Sequence, residues 1–188
     1  MEKNKYYSIN VASCIRNLPI CSVDEKTSIA AFIMFGDVEI TKACATQLLK
    51  KAPEFDIMIT AECKGIPLLY EMARQSNAEN YIVARKGPKV YMQNVTTVTV
   101  NSITTLDQQI LCIGDKETEL MRGKRVLIVD DVISTGESLA ALEKLVNTVG
   151  GNIVGKMAVL AEGEAAKRSD IIYLEALPVF DSEGNVLD

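Results

Sequence analysis

The most informative absence in this 188-residue sequence is histidine, which does not occur at all. Without an imidazole, the chain cannot build a Ser-His catalytic triad, an imidazole general base or the usual catalytic zinc site. Its five cysteines are odd in number and include no Cys-x-x-Cys pair. They indicate reduced thiols in a cytosol rather than a disulfide framework or a zinc site.

Long apolar runs and clusters of basic residues are also missing. No apolar stretch approaches the ~18 residues that a membrane-spanning helix needs, and the opening MEKNKYY lacks the apolar core of a signal peptide. The formal net charge is -5, the pI is about 4.9, and no basic run is long enough to bind nucleic acid. We therefore expect a cytoplasmic protein without a membrane or nucleic-acid partner.

The most informative stretch that is present runs from Arg125 to Leu139, with the sequence RVLIVDDVISTGESL. Val126–Val129 is an apolar run typical of a strand buried on both faces. Two acids, Asp130 and Asp131, are predicted to lie at the carboxyl end of this strand. A polar turn follows, and after it apolar residues recur at helical spacing. The predicted order is therefore strand, acid pair, turn and helix.

Each part of this unit has a chemical use. In open α/β sheets, ligands bind outside the carboxyl ends of strands, and a helix N-terminus suits a phosphate. Gly136 lets the backbone approach that phosphate closely. The hydroxyls of Ser134, Thr135 and Ser138 can donate to its oxygens, and the acids can accept from vicinal sugar hydroxyls. The sequence therefore predicts a bound ribose 5-phosphate, with its sugar on the acids and its phosphate in the turn.

The stretch from Val126 to Ser138 resembles the signature of type I phosphoribosyltransferases, which use 5-phosphoribosyl 1-diphosphate (PRPP). One alternative is a plain buried strand and a helix capped by Ser134 or Thr135, although such a strand needs no acid pair at its end. A two-component receiver domain also has an acid pair after a strand, but there it lies near the start of the domain. The resemblance assigns the 5′-phosphate to Ser134, Thr135, Gly136, Glu137 and Ser138.

Two further loops resemble the diphosphate-binding loops of adenine phosphoribosyltransferases. In the first, Lys64 replaces an arginine, so bidentate phosphate binding is reduced to a point charge. The alternative interpretation is a pair of surface turns with solvated charges. The residues that the resemblance assigns to the diphosphate are Glu62, Cys63, Lys64, Gly65, Arg85, Lys86 and Lys89.

Local patterns predict the elements around these motifs. Asp37 is expected to cap a helix from Val38 to about Lys51. Downstream, a strand, a helix over 66–74 with Pro67 in its first turn, and a second strand form the crossover unit of a parallel sheet. Residues 95–113 alternate like two antiparallel strands joined by 104–107. Three segments are interpreted as irregular: the loop 16–22 around Pro19, the charged connector 117–122 and the short polar tail from Pro178.

The resemblance covers most of the chain and implies one α/β domain over residues 1–188 with the type I phosphoribosyltransferase fold. In this fold a five-stranded parallel sheet carries flanking helices and an antiparallel flap, here 95–115. A small N-terminal hood with the first helix, residues 1–50, would cover the base. The implied core strands lie near 56–61, 80–84, 126–130, 153–160 and 171–175.

The implied activity is that of a glycosyltransferase of purine salvage. It would join a free purine base to the 5-phosphoribosyl group of PRPP and release diphosphate, with Asp130 and Asp131 as the catalytic pair that holds the ribose. No separated carboxylates suggest a metal cage, so Mg²⁺ would come mainly on the PRPP diphosphate. The family also leads us to expect a homodimer.

The preferred base is predicted from Ser134. Hypoxanthine-guanine enzymes of the family carry an aspartate at this position, whereas adenine enzymes carry a small residue. Adenine, recognised by backbone groups of the hood, is therefore the predicted base. Xanthine or another oxopurine stays an alternative, because the segment QQILCIG lacks the glutamate of the adenine-enzyme flap. A non-catalytic regulator that senses PRPP or nucleotides is a further alternative, although the length and acidic pI leave little room for a DNA-binding module.

Overall fold

A five-stranded parallel sheet forms the centre of the computed structural model, which describes residues 5–101 and 108–187. A 3-10 turn covers Gly163–Lys167. In chain order the other elements are β1 (Tyr6–Val11), β2 (Cys14–Ser22), β3 (Thr27–Ala30), α1 (Val38–Lys51), β4 (Ile57–Ala61), α2 (Ile66–Gln75), β5 (Ile82–Ala84), β6 (Thr96–Asn101), β7 (Gln108–Ile113), α3 (Asp115–Met121), β8 (Arg125–Ile133), α4 (Glu137–Thr148), β9 (Asn152–Glu162), β10 (Ile172–Leu177), β11 (Val179–Asp181) and β12 (Val186–Leu187).

The central sheet has the strand order β10-β9-β8-β4-β5, and every neighbouring pair is parallel. All five core strands predicted from the sequence are confirmed. The chain builds β4 and β5 toward one edge and then returns to add β8 on the other side of β4. A switch of direction between β4 and β8 leaves a crevice at the carboxyl ends of these two strands, where such sheets bind ligands.

Strand β8 is longer than the sequence predicted. The acid pair was expected at its carboxyl end, but the strand continues to Ile133. Val132 and Ile133 stay in register with Leu160 and Ala161 of β9, so main-chain pairing extends past both acids. The β-branched side chains of these two residues favour this continuation.

A second, antiparallel sheet has the order β1-β2-β3-β11-β12 and corrects two predictions. The segment 16–22 is part of strand β2 and not a loop. Its proline is tolerated because pairing with β1 ends at Pro19, and pairing with β3 begins at Ile20. The tail from Pro178 is not merely polar, since it adds β11 beside β3.

The helices agree with the sequence prediction except at one place. Asp37 caps α1, where its carboxylate accepts a hydrogen bond from the N–H of Ile40 at 3.1 Å. The segment 117–122, interpreted as a connector, is largely helical as α3. Its N-terminus is held by the Glu117 side chain, which accepts from the N–H of Gly114 at 3.1 Å, and a glycine cap hid this signal. None of the described helices is long and apolar enough to span a membrane.

Strands β6 and β7 form the predicted antiparallel ribbon. The turn expected at 104–107 lies outside the described residues. The ribbon joins the central sheet region through Arg85, whose backbone exchanges two hydrogen bonds of 2.9 Å with Cys112.

Two apolar clusters fill the two faces of the central sheet. One cluster packs α1 and α2 against the sheet and continues into the antiparallel sheet, through buried residues such as Leu18, Phe32 and Phe180. The other packs α4 and the β6–β7 ribbon against the opposite face, around Ile128 and Leu142. The carboxyl ends of β4, β8 and β9 therefore lie beside the antiparallel sheet.

Candidate active site

The turn between β8 and α4 encloses a cavity of about 100 Å³ at the carboxyl edge of the sheet. Gly136 is the N-cap of α4, with φ +81, a conformation that favours glycine. The alternative of a helix capped by Ser134 or Thr135 is therefore wrong. A glycine cap leaves room beside a helix end that carries partial positive charge.

The two acids of the signature meet different surroundings. Asp130 lines the turn cavity, and its Oδ1 accepts a hydrogen bond from the N–H of Asp131 at 2.9 Å. Asp131 is 3% exposed, and its Oδ2 lies 3.3 Å from the Nζ of Lys64. This ion pair lacks hydrogen-bond geometry, so Oδ2 accepts no hydrogen bond from the described residues. Burial and the adjacent Asp131 carboxylate raise the pKa of Asp130 well above its ordinary value.

The loop after β4 lies against the acid pair because Gly65 has no side chain. A Cβ atom at this position would lie 2.5 Å from Thr60 Oγ1 and 3.1 Å from Asp130 Oδ1. The Glu62–Cys63 peptide bond in this loop is cis. Cys63 is exposed, and its neighbour Lys64 reaches Asp131. The loop that the resemblance assigns to the diphosphate therefore lies against the acid pair.

Glu62 connects the loop after β4 to the loop after β5. Its Oε2 accepts from the N–H of Lys86 at 3.1 Å, and its Oε1 lies 3.4 Å from Arg85 Nη2. The hydrogen bond from Lys86 lowers the pKa of Glu62, and the nearby positive charges lower it further by a smaller amount. Within the described residues, no side-chain contact joins Lys86 or Lys89 to the acid pair. Three neighbouring strand ends, those of β8, β4 and β5, are thus linked by two ion pairs.

A larger cavity of about 350 Å³ adjoins this edge and separates residues 29–33 from the ends of β8 and β9. Val132 and Ser134 line it on the side of the turn, and Lys64 lines it on the side of the acids. Its remaining polar side chain is Glu162, the last residue of β9. A cavity of this size is in the range of small-molecule sites.

Sequence reasoning missed Glu162 and one further polar residue at this edge. In the sequence, a glutamate directly after the apolar run 157–161 could have indicated a site, because ligands bind at the carboxyl ends of such strands. The second residue is Arg168, whose Nη1 would lie 2.9 Å from a Cβ atom placed on Gly136. Asp170 orients this guanidinium through hydrogen bonds of 2.9 and 2.8 Å. No local pattern relates Arg168 to the turn, since the chain passes through β9 between them.

Residues 38–184 match the family model described as "Phosphoribosyl transferase domain". The match spans well over half of the chain, so the chain belongs to this family, which is that of the pentosyl-transferring glycosyltransferases. Together with the parallel sheet, this confirms the type I phosphoribosyltransferase fold predicted from the sequence.

Relatives of the chain include a regulator and two purine enzymes. The chain is 30% identical over 111 residues to the purine biosynthesis transcriptional repressor PurR of Bacillus subtilis, covering 59% of this chain and 38% of the repressor. It is 28% identical over 131 residues to the hypoxanthine/guanine phosphoribosyltransferase of Methanotorris igneus, covering 69% of this chain and 67% of that enzyme. It is 29% identical over 130 residues to the adenine phosphoribosyltransferase of Rhodococcus jostii, covering 68% and 69%.

Solved structures of adenine phosphoribosyltransferases share the fold. The Saccharomyces cerevisiae enzyme, complexed with an imino-altritol bisphosphate and adenine, superposes with a TM-score of 0.62 at 18% identity, covering 91% of this chain and 92% of that one. The Thermoanaerobacter pseudethanolicus enzyme gives 0.63 at 21% identity, covering 76% and 84%. At these identities the likeness carries the fold and not the choice of base.

Proposed function

We propose that this protein is a purine phosphoribosyltransferase that transfers the 5-phosphoribosyl group from PRPP to adenine, forming AMP and releasing diphosphate. One observation carries this proposal. The acid pair, the left-handed Gly136 turn and the cation Lys64 meet at the carboxyl edge between β4 and β8. These three features match the three parts of PRPP, namely its sugar, its 5′-phosphate and its diphosphate.

The chemistry of each feature assigns a part of PRPP to it. The 5′-phosphate belongs in the turn, where Gly136 leaves room and the end of α4 carries partial positive charge. The ribose then reaches the acid pair, whose oxygens accept hydrogen bonds from vicinal hydroxyls. The diphosphate extends toward the loops after β4 and β5, where Lys64 and Arg85 supply positive charge.

Lys64 couples ribose binding to the charge around the leaving group. Its ammonium pairs with Asp131, while half of its side chain remains exposed. Ribose hydroxyls give Asp131 new hydrogen-bond donors. The flexible lysine is then released to the diphosphate, which carries more negative charge than one carboxylate.

At C1 of the ribose, a ring nitrogen of the base forms the new bond as the bond to diphosphate breaks, and the proton on that nitrogen passes to the released diphosphate or to water. The transition state has oxocarbenium character, as in glycoside chemistry. The carboxylates of Asp130 and Asp131 lie near the developing positive charge, and the cations face the departing negative charge. Catalysis therefore rests on positioning and on charges that are already in place.

Magnesium fits this site as a companion of PRPP. Within the described parts of the chain, no cluster of three or more acidic or cysteine side chains forms a metal cage. The buried Oδ2 of Asp131 accepts no hydrogen bond there and offers one oxygen at the edge of the site. Mg²⁺ usually keeps most of its ligands on substrate phosphates and water. Mg²⁺ bound together with PRPP would neutralise part of the negative charge of the diphosphate.

Diphosphate release tests the proposal directly. Purified protein is incubated with PRPP, Mg²⁺ and one of adenine, hypoxanthine, guanine, xanthine or uracil. We expect release only when a base is present, with the highest specificity constant for adenine. A higher specificity constant for xanthine would overturn the choice of base and leave the reaction class standing. Absence of base-dependent release would overturn the enzymatic proposal.

A regulator that senses PRPP or nucleotides is the second candidate, because one relative is the repressor PurR. Such a protein keeps the ligand site without the reaction. Calorimetric binding of PRPP without base-dependent diphosphate release would favour it. A homodimer and a cytoplasmic location remain predictions from the family resemblance and the composition.

A further inference from the structure

Glu162 places a carboxylate in the larger cavity, and none of the described side chains pairs with it. Glu162 is 8% exposed and directly follows five fully buried residues, Met157–Ala161. Its side chain lines the cavity that lies between residues 29–33 and the carboxyl edge of the sheet. No hydrogen bond or ion pair joins this carboxylate to any other side chain that the structure describes.

The other residues that line the cavity leave the Glu162 carboxylate available to a ligand. Lys64 lines the same cavity, but its ammonium pairs with Asp131. Apart from Ser134, the other walls are apolar, including Phe32, Val132 and Leu177. The Glu162 oxygens are not among the buried unpaired side-chain atoms of the described residues, so they can be reached from the cavity. A ligand that donates a hydrogen bond there would meet a charged acceptor among largely apolar walls.

We propose that Glu162 is the specificity-determining residue for the base and selects a purine with an amino group at C6. This inference rests on the proposed function, because the cavity adjoins the turn assigned to the 5′-phosphate through Val132 and Ser134. A carboxylate accepts hydrogen bonds only, so it matches the amino donor of adenine. A 6-oxopurine presents a carbonyl there, which leaves two acceptors facing each other and both unpaired.

The test compares the affinities of AMP and IMP, which differ at C6 of the base. Titration calorimetry measures both nucleotides, and PRPP with Mg²⁺, on the wild type, Glu162→Gln and Glu162→Leu. We expect the wild type to prefer AMP by about ten- to a hundredfold, the range for one hydrogen bond to a charged group. Glu162→Gln can donate as well as accept, so the preference should fall at least about tenfold.

Glu162→Leu removes the acceptor without adding a donor, so AMP binding should weaken while PRPP binding stays unchanged. Glu175→Gln is the matched control, since it makes the same substitution at an exposed position of the neighbouring strand β10. It should leave the AMP-to-IMP ratio as in the wild type. Thermal unfolding verifies that each variant is folded at the titration temperature.

The possible results separate this inference from the proposed function. An unchanged AMP-to-IMP ratio in both Glu162 variants would overturn the role of Glu162 alone, provided that PRPP still binds. A wild-type preference for IMP would overturn it as well. Failure of the wild type to bind PRPP and both nucleotides would overturn the proposed function and this inference together.

Discussion

At the scale of single residues, Asp130 and Asp131 show how neighbours in sequence acquire different roles. Successive residues of a strand face opposite sides of a sheet, so the two carboxylates meet different groups. Asp130 lines the turn cavity and forms no ion pair with the residues that the structure describes, whereas Asp131 faces Lys64. The two positions can therefore be tested separately, by activity and by stability.

Replacement of either acid by asparagine is expected to abolish turnover while the protein stays folded. The substitution keeps the size of the side chain but removes a carboxyl group that binds the ribose and faces the developing oxocarbenium ion. Initial rates of diphosphate release at saturating PRPP and adenine should fall at least about a hundredfold, a typical effect of losing one electrostatic contact to a transition state. Circular dichroism serves as the control for folding. Near-normal rates in both variants would show that Asp130 and Asp131 do not form the ribose site.

The stability of Asp130→Asn should depend on pH. The folded-state pKa of Asp130 is raised, so with rising pH the unfolded state loses this proton before the folded state does. The free energy of unfolding of the wild type therefore falls as pH rises above about 4. Asp130→Asn escapes this loss and should melt about 2–4 °C higher at neutral pH if the gain is about 1 kcal/mol. The gain should vanish near pH 4.

Asp56→Asn is the control of opposite sign. Hydrogen bonds from Arg125 lower the pKa of Asp56 to about 2. This carboxylate contributes stability above its unfolded-state pKa and loses that contribution as pH falls toward about 2. Asp56→Asn should therefore melt below the wild type at neutral pH, with the difference shrinking in acid. Differential scanning calorimetry from pH 3 to 8 measures both variants, and an equal pH dependence in the two would contradict the surroundings assigned to Asp130.

At the scale of elements, the left-handed backbone of the turn before α4 favours glycine, and a side chain there would enter the turn cavity. Gly136 has φ +81, and a Cβ atom there would lie 2.9 Å from the guanidinium of Arg168. Gly123 has φ +69 at the opposite end of β8, but no atom of the described residues lies within 4 Å of a Cβ atom placed there. Substitutions at Gly136 and Gly123 therefore cause the same backbone strain, but only the one at Gly136 places a side chain in the turn cavity.

Gly136→Val is expected to block PRPP binding, whereas Gly123→Val should only lower stability. Both variants force a branched residue into a left-handed conformation, so both should melt at a lower temperature. A side chain at Gly136 alone fills the space assigned to the 5′-phosphate. Calorimetry with PRPP and Mg²⁺ is the measurement, and unchanged PRPP affinity in Gly136→Val would show that this turn does not hold the phosphate.

The loop after β4 can be probed through its thiol. Cys63 and Cys21 are exposed, while the other three cysteines are buried, and burial raises the pKa of Cys44 to about 12. Alkylation should therefore inhibit through Cys63, beside Lys64, and bound PRPP with Mg²⁺ should protect. Residual activity after iodoacetamide treatment is the readout. Inhibition that persists in Cys63→Ser would place the sensitive thiol elsewhere.

At the scale of the whole molecule, the two sheets share one apolar cluster. Phe180 of β11 is 2% exposed, and its ring meets Tyr7 of β1 edge to face at 5.3 Å between centroids. The C-terminal strands β11 and β12 thus complete the antiparallel sheet. Residues 29–33, at the end of β3 in this sheet and just after it, line the larger cavity. Stability and cavity shape therefore depend on both ends of the chain.

Phe180→Ala is expected to destabilise the protein by about 3–5 kcal/mol, because it leaves a cavity where the two sheets meet. For a chain of this size, that loss corresponds to a fall of about 6–20 °C in melting temperature. Val186→Ala on β12 is the control, since this side chain is 53% exposed and its loss should be small. Equal melting temperatures for the two variants would contradict a structural role for the tail.

The central sheet and most of the site were predictable because their signals are local. An apolar β-branched run before an acid pair, as in Val126–Asp131, indicates a buried strand with a functional end. An aspartate before an apolar periodic segment, as at Asp37, indicates a helix start. Even so, β8 exceeded its prediction, because pairing of Val132 with Leu160 of a distant strand extended it past the acids.

The sequence by itself determined the order of strands and helices, the acid pair and the hydroxyl-rich turn. These depend on periodicity, side-chain chemistry and capping, which act over a few residues. The lack of histidine also excluded Ser-His triads, imidazole bases and the usual catalytic zinc sites. Only the tertiary structure decided that β11 lies beside β3, that Arg168 lies beside Gly136, and that Glu162 faces a cavity under residues 29–33. Such contacts join segments far apart in the chain, so they form only once strand order and sheet packing bring those segments together.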